Sequence, residues 1–299
     1  MASRKRKGNK SKLISFVIVI ALALIFTYGD KLLDNKAEKL SDSDVRIHFV
    51  DVGQGSATLV TYGDKGILID TGENEYGKYL TDYIDSCGVT SLEYVIASHP
   101  HSDHIGSMAQ IINKYPIGTF IMPELSVRNT PTTKVYEKML SALVENDVSV
   151  VPSETGAVYN VADGISFQIF GPCEQVSDLN DMSVIVKLTL NGNTFMVLGD
   201  AEKQELTSVY EAYPDLDYKS DVIAMGHHGS STSIHKKFLG AVGAETAVIS
   251  CGRNNEYGHP HKEALEYIEQ ENMTFYRTDL EGDIIFLCKA DGYERVESK

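Results

Sequence analysis

Basic residues are scarce outside the first 28 positions of this 299-residue chain. Those positions hold six of the 27 lysines and arginines (Arg4, Lys5, Arg6, Lys7, Lys10, Lys12) and no acid, which leaves 21 basic against 42 acidic residues in the remainder, a balance of −21. A body so acidic lacks the broad basic surface that holds a nucleic-acid backbone by charge alone. It still suits divalent cations, and a polyanion through a local patch or through those cations. Cysteine is sparse: Cys87, Cys173, Cys251 and Cys288 are widely separated, with no CxxC. That spacing excludes a small cysteine-only zinc module and a thioredoxin-type redox pair, and buried free thiols are expected. No GxSxG and no catalytic Cys–His signature occurs, so nothing indicates a covalent nucleophile.

With 42 % apolar residues the chain can bury a substantial core, as one large domain or two small ones. Its N-terminus reads as a separate unit. Residues 1–12 form a basic tail, and Leu13 to Tyr28, LISFVIVIALALIFTY, is a run of sixteen residues without a charge. We expect residues 13–28 to be a transmembrane anchor, slightly short but with ends that snorkel. The positive-inside rule then places residues 1–12 in the cytoplasm and the rest outside the cell. A cleaved signal peptide is the rival, since Ala21 to Ala23 resembles a cleavage site; the apolar run continuing through Phe26 favours the anchor. Residues 29–44 are polar and mixed in charge, and read as a linker or short exposed helix.

From residue 45 to 299, strand-like and helical stretches alternate without a repeat or a low-complexity linker. VRIHFVDV, SATLVTY and GILIDTG read as three strands separated by glycine turns. YGKYLTDYIDSCG reads as a helix ending on Gly88, and EYVIASH as a strand delivering Ser98 and His99. DHIGSMAQIINKY predicts one helix with Asp103 and His104 in its first turn. The second half continues with strands at ISFQIFG, MSVIVKLTL and TFMVLGD, and a helix at AEKQELTSVYEAY. DVIAMG and ETAVISCG then lead to HHGSSTS and RNNEYGHPH, before a helix over about 261–272 and two final strands, TFYRT and GDIIFLC. One α/β domain over residues 45–299, rich in antiparallel sheet, is the economical reading.

Three of the nine histidines fall within six positions, in SHPHSDHIGS. His99 and His101, two apart on extended backbone, project to the same side. Asp103 and His104 follow at a helix start, so four side chains can aim into one small volume. Imidazole and carboxylate together suit zinc, manganese or iron. Asp200, emerging from the apolar strand FMVLGD, is placed to bridge two metals, and the strand-end pair His227 and His228 offers a further ligand. His259 and His261 in EYGHPH either face the site or begin the next helix; we expect His259 to serve as a proton donor or phosphate contact. Ser230, Ser231 and Thr232 are candidate phosphate donors. His48 and His235 read as ordinary strand and helix residues.

FVDVGQG, ASHPHSDHIG, NDMSVIVKL, MGHHGSSTS and NNEYGHPH, in this order, resemble the metallo-β-lactamase superfamily, and within it the extracellular hydrolase domain of ComEC-type competence proteins. The resemblance covers essentially residues 45–290. It implies a four-layer αβ/βα sandwich with a dinuclear site on its edge. It implies that His99 and His101 hold one divalent ion, zinc or manganese, and that Asp103 and His104 hold another. Asp200 bridges them, His227 or His228 completes the second site, and Asp70 is a buried acid orienting the loop. The chain departs from many members in having no histidine between Ile105 and Gly226; Asn180-Asp181 matches the ComEC-type pattern at that point. The usual acid after GQG is here Ser56. No multi-span channel like that of ComEC is expected from these residues, so DNA import is not carried over from the resemblance.

These residues lead us to expect a membrane-anchored, extracytoplasmic metal-dependent hydrolase. Its catalytic set is Asp103, Asp200 and His259, with a hydroxide shared by two metals as nucleophile and Asn180, Ser230 and Ser231 near the substrate. The substrate class is a phosphodiester, either nucleic acid or a phosphorylated wall or lipid component. A lactone or β-lactam acyl hydrolase of the same fold is the alternative, disfavoured by the missing middle histidine. A non-catalytic scaffold is a third, disfavoured by the intact cluster.

Overall fold

The computed structural model describes residues 44–297. Its first sheet begins as the antiparallel meander β1 (Val45–Phe49), β2 (Thr58–Tyr62) and β3 (Lys65–Ile69). The chain then crosses over through α1 (Gly77–Ser86) to β4 (Ser91–Ile96), and through α2 (Ser102–Ile105) and α3 (Met108–Lys114) to β5 (Ile117–Met122). A further crossover through α4 (Lys134–Glu145) reaches β6 (Val150–Pro152). These connections make β3 to β6 parallel, as crossover helices dictate. β14 (Ile284–Lys289) and β15 (Gly292–Val296) return to the other side of β1, giving the order β15-β14-β1-β2-β3-β4-β5-β6.

The second sheet repeats the plan. β7 (Val158–Ala162), β8 (Ile165–Ile169), β9 (Val186–Leu190) and β10 (Asn193–Val197) are antiparallel. Helices α5 (Lys203–Ala212), α6 (Lys236–Val242) and α7 (Lys262–Gln270) then add β11 (Val222–Ala224), β12 (Thr246–Ile249) and β13 (Thr274–Arg277) in parallel; α8 (Thr278–Glu281) is a single turn. The period-2 alternation of the strands sorts side chains into layers. In β3, Ile67 and Ile69 join Phe167, Leu188, Phe195 and Phe286 between the sheets. Leu68 faces the other way, into a layer with Leu80, Ile111 and Met139 of the helices. A third layer, with Met196, Leu206, Phe238 and Ile268, seals the opposite face. Three apolar layers separate four layers of secondary structure, which is the expected αβ/βα sandwich.

Two expectations change. The single helix over 103–115 is two helices, α2 and α3. At the break Ser107 Oγ donates to Glu73 O at 2.6 Å, and Gly106 packs so closely that a Cβ would lie 2.4 Å from Asn74 N. The loop after β3 therefore packs against the ligand-bearing turn. After α7 the chain also ends on three strands rather than two, because β15 follows β14. Among the described residues no helix is long and apolar enough to cross a membrane; residues 13–28, expected as an anchor, lie outside the described residues. The four cysteines are unpaired, with Cys251 and Cys288 buried.

Candidate metal centre

The parallel strands of both sheets deliver their C-terminal ends to one edge of the sandwich. β3 supplies Asp70, β4 supplies Ser98 and the histidine turn, β10 supplies Asp200, β11 the His227–His228 pair, and β12 the segment from Ser250 to His259. The two halves meet closely. Gly199, at φ +55°, lies beneath Ser98, where a Cβ would be only 2.9 Å from the Ser98 Cβ. Glycine alone has both the conformation and the space.

Asp103, His104, Asp200 and His228 each present one ligand atom within 4.8 Å of the others. His228 Nε2 is 3.1 Å from Asp103 Oδ2 and 3.6 Å from Asp200 Oδ2. His104 Nε2 is 3.1 Å from Asp200 Oδ1, yet out of line for a hydrogen bond, so both buried atoms lack a hydrogen-bond partner. Beside this group His99 Nε2 and His101 Nδ1 stand 3.0 Å apart, and His99 Nε2 is 3.9 Å from Asp200 Oδ2.

The nitrogens are pre-set by the opposite side of each ring. His104 Nδ1–H donates to Asp70 Oδ2 at 2.7 Å, and His228 Nδ1–H donates to Ser250 O at 2.9 Å. The Ser98 hydroxyl donates to Asp70 at 2.7 Å, so its lone pair accepts from His99 Nδ1–H at 3.1 Å. The hydrogen-bond network thus assigns one tautomer to all three rings, with the Nε2 lone pair facing the cluster. Asp70, 1 % exposed, also accepts from Ser98 N at 2.8 Å, which ties the end of β4 to the turn after β3.

Charge on this buried edge is unbalanced. Burial opposes charging of His104, but Asp200, Asp70 and Asp103 outweigh it and hold its pKa well above the ordinary value. His228 is raised too, burial again being overcome, here by Asp200 and Asp103. Burial would raise Asp200, yet His104 and His228 hold it well below the carboxylate range. His99 is driven well down by burial and by His104, which together outweigh the opposing pull of Asp200. A divalent cation would compete with protons for the Nε2 lone pairs of His104 and His228. The unpartnered Nε2 and Oδ1 atoms, the pre-set tautomers and the mixed N/O donor set fit such a cation.

The centre floors an open cavity of about 400 Å³ whose wall includes Gln54, Thr133, Asn180, His227, Tyr257 and His259. Among the expected candidates, Asn180 lines it, with Nδ2 donating to Glu202 at 3.3 Å. Asp181 does not join the site: its Oδ1 accepts from Glu202 N and Glu205 N and caps α5. Ser230 and Ser231 are absent from the wall. Ser230 Oγ bonds Thr232, and Ser231 N donates to His261 Nδ1 at 3.0 Å. Of the histidine pair, His228 enters the cluster. His227 turns its Nδ1 to Glu202 Oε1 at 3.0 Å and keeps Nε2 3.7 Å from Asp200 Oδ2. Both histidines occupy the left-handed region, φ 48° and 55°, ahead of Gly229 at 80°. Such backbone costs about 1–3 kcal/mol per residue and collects at functional sites.

His259 lies in the wall, and burial followed by repulsion from His228, His227 and His261 lowers its pKa to about 4. Gln54 Oε1 accepts from Gly252 N at 3.0 Å, so the Gln54 amide donates to His259 Nδ1 at 3.3 Å. His259 is therefore a neutral ring with its proton on Nε2. Two residues here escape the sequence reading. Gln54 sits in GQG but carries no chemical signal of its own. Glu202, which gathers His227, Asn180 and Thr232 (2.9 Å), looks like any surface acid near a helix start. His48 and His235 are structural: His48 bridges Tyr83 and Thr61, and His235 Nδ1 caps α6.

A family model described as the metallo-beta-lactamase superfamily matches residues 50–253. The chain belongs to that superfamily. As a member with an intact His/Asp cluster, this metallo-β-lactamase-fold protein is a metal-dependent hydrolase that takes divalent ions. Its relatives include ComE operon protein 3 of Bacillus subtilis, 26 % identical, covering 97 % of this chain and 38 % of the relative. Recombination protein 2 of Haemophilus influenzae is 29 % identical, covering 83 % and 29 %, and Competence protein ComA of Neisseria gonorrhoeae is 27 % identical, covering 84 % and 33 %. The chain thus spans about a third of the length of these curated relatives. Among solved structures, the metallo-beta-lactamase fold protein YhfI of Bacillus subtilis superposes with a TM-score of 0.53 at 12 % identity, over 82 % of this chain and 100 % of YhfI. CmlA beta-hydroxylase also reaches 0.53, at 11 % identity, over 84 % of this chain and 55 % of CmlA. Those likenesses are of fold alone.

Proposed function

We propose that this superfamily member is a phosphodiesterase acting on nucleic acid, working with two divalent ions, zinc or manganese. One observation carries the reading: the His99–His101 pair stands beside the four-residue cluster with Asp200 between them, and both open onto one cavity. Asp103, His104, Asp200 and His228 would hold one ion; His99, His101 and Asp200 would hold the other with fewer protein ligands. Bound there, the ions supply Lewis acidity to phosphoryl oxygens and make water more acidic. The sparse ligation of the His99–His101 position leaves room for substrate oxygens, which suits phosphate chemistry better than acyl transfer.

The chain's own groups complete the site. Neutral His259 offers its Nε2–H to a phosphate oxygen rather than a whole proton, because its pKa of about 4 leaves it uncharged at neutral pH. His227, fixed by Glu202 through Nδ1, presents Nε2 next to Asp200. Protonation of the leaving oxygen falls to water. The names of the relatives, competence and recombination proteins, support nucleic acid over a wall or lipid phosphodiester. We place the catalytic body outside the cell, held by residues 13–28; protease added to intact cells should degrade it, and protection until lysis would contradict this.

The test is a screen of the full chain, supplied with Mn²⁺ or Zn²⁺, against bis-p-nitrophenyl phosphate, single-stranded and duplex DNA, and nitrocefin. Phosphodiester cleavage is expected. Nitrocefin turnover without it would favour the acyl hydrolase, and no turnover of any substrate the scaffold.

A further inference from the structure

The cavity wall contains no lysine and no arginine. A phosphodiester strand entering it finds few charges for its phosphates beyond those at the metal centre, so its affinity needs another source. The wall does carry one ring turned to solvent. Tyr257 is 67 % exposed, more than any other large aromatic side chain among the described residues. Its ring stacks on His259, with centroids 5.7 Å apart and planes 21° from parallel.

The segment holding that ring is rigidly built. Asn255 Nδ2 donates to Gly252 O at 2.9 Å and to His259 O at 2.6 Å, while its Oδ1 accepts from His259 N at 2.9 Å. Tyr257 O accepts from His261 Nε2 at 3.1 Å. Below the ring, Gln54 fixes His259. An exposed apolar ring on a pinned loop, backed by a second ring that lines the metal cavity, has no packing role.

We propose that Tyr257 is a stacking platform for a nucleobase next to the scissile phosphate, which makes the substrate a strand with unpaired bases. The assignment rests on the phosphodiesterase reading. Base–aromatic stacking is tolerant of sequence and needs an exposed π-face, which paired and stacked duplex bases withhold. One occupied platform beside the cleaved bond replaces the electrostatic grip that this acidic body lacks.

The test compares kcat/KM of the Mn²⁺-loaded full chain on a single-stranded oligothymidylate and on an equal-length strand of abasic tetrahydrofuran units. The wild type should prefer the base-bearing strand by about five- to a hundredfold, the span of one stacking contact. Tyr257→Ala should erase that preference, lowering cleavage of the base-bearing strand far more than that of the abasic strand, and Tyr257→Phe should keep it. An equal loss on both strands by Tyr257→Ala would mark a structural residue and overturn the platform. A preference that survives Tyr257→Ala would overturn it as well. If the wild type cleaves both strands equally, the platform falls and the phosphodiesterase stands; if it cleaves no phosphodiester, both fall.

Discussion

Asp70→Asn changes a single atom of the centre and is predicted to weaken it twice. In the native site Asp70 Oδ2 accepts from both Ser98 Oγ and His104 Nδ1, at 2.7 Å each, while Oδ1 accepts from Ser98 N. The amide keeps the last bond and puts an NH₂ where the doubly accepting oxygen was. His104 must then move its proton to Nε2 so that Nδ1 can accept, and Nε2 is the atom facing Asp200. The buried Ser98 hydroxyl loses its acceptor and His104 keeps a partner only by changing tautomer, so the metal-free protein should be about 1–3 kcal/mol less stable. Outer partners of metal-binding histidines are typically worth 10–100-fold in affinity, or about 1.4–2.7 kcal/mol of the stabilisation that saturating metal gives. For a body of this size that is roughly 3–10 °C of the metal-induced rise in Tm. Thermal unfolding followed by circular dichroism, with chelator and with Zn²⁺ or Mn²⁺, separates the two effects. If Asp70→Asn shows the full metal-induced rise, the tautomer argument is wrong.

Asp103→Ala and chelation should each abolish hydrolysis; full phosphodiesterase activity in the metal-free variant would contradict the assignment of a metal-dependent enzyme. Calorimetric titration of metal-free protein should resolve two unequal affinities, with His99→Ala removing the weaker and His104→Ala damaging the stronger. Two equal sites, or the reverse pattern, would mean the ligands are misplaced. Away from the centre, burial and then Arg46 hold His48 down to about 3 against an ordinary value of 6.5. The unfolded chain therefore binds a proton there that the folded chain refuses, and stability falls as pH drops below 6.5. At pH 5 this amounts to about 2 kcal/mol, measurable as a urea midpoint shift that His48→Gln should largely remove; the same shift in both proteins would exclude His48 as its source.

The residues most legible in the sequence are those whose chemistry packing does not require. His99, His101, Asp103 and His104 stand out because three histidines in six positions serve no core, and Asp200 because an acid ends an apolar strand. The choice between His227 and His228 is not legible. It depends on a left-handed turn that aims one ring at Asp103 and the other at Glu202, and a sequence doublet contains no such direction. Ser230 and Ser231 look like phosphate donors by composition, but Ser230 is taken up by Thr232 of its own turn and Ser231 by His261, 30 residues further along the chain. Asp181 beside Asn180 matches a family pattern, but its carboxylate caps α5, a helix remote from it in the chain, and only the fold brings the two together. Strand β15 and helix α4 carry ordinary amphipathic patterns that only their neighbours confirm.

Every ligand of the cluster belongs to a strand end, but not to the same sheet: Asp103 and His104 follow β4 of one, Asp200 and His228 follow β10 and β11 of the other. An ion seated among them is a cross-link between two halves of the molecule roughly a hundred residues apart in the chain, in a body whose four cysteines are unpaired. It closes a long loop at the open rim of the sandwich, where the apolar layer between the sheets ends. Metal supply then governs how firmly the two sheets are fastened as well as whether the edge between them can react. A cell that withholds the ion silences the protein and, by the same act, leaves its rim easier to pry apart and its chain easier to digest.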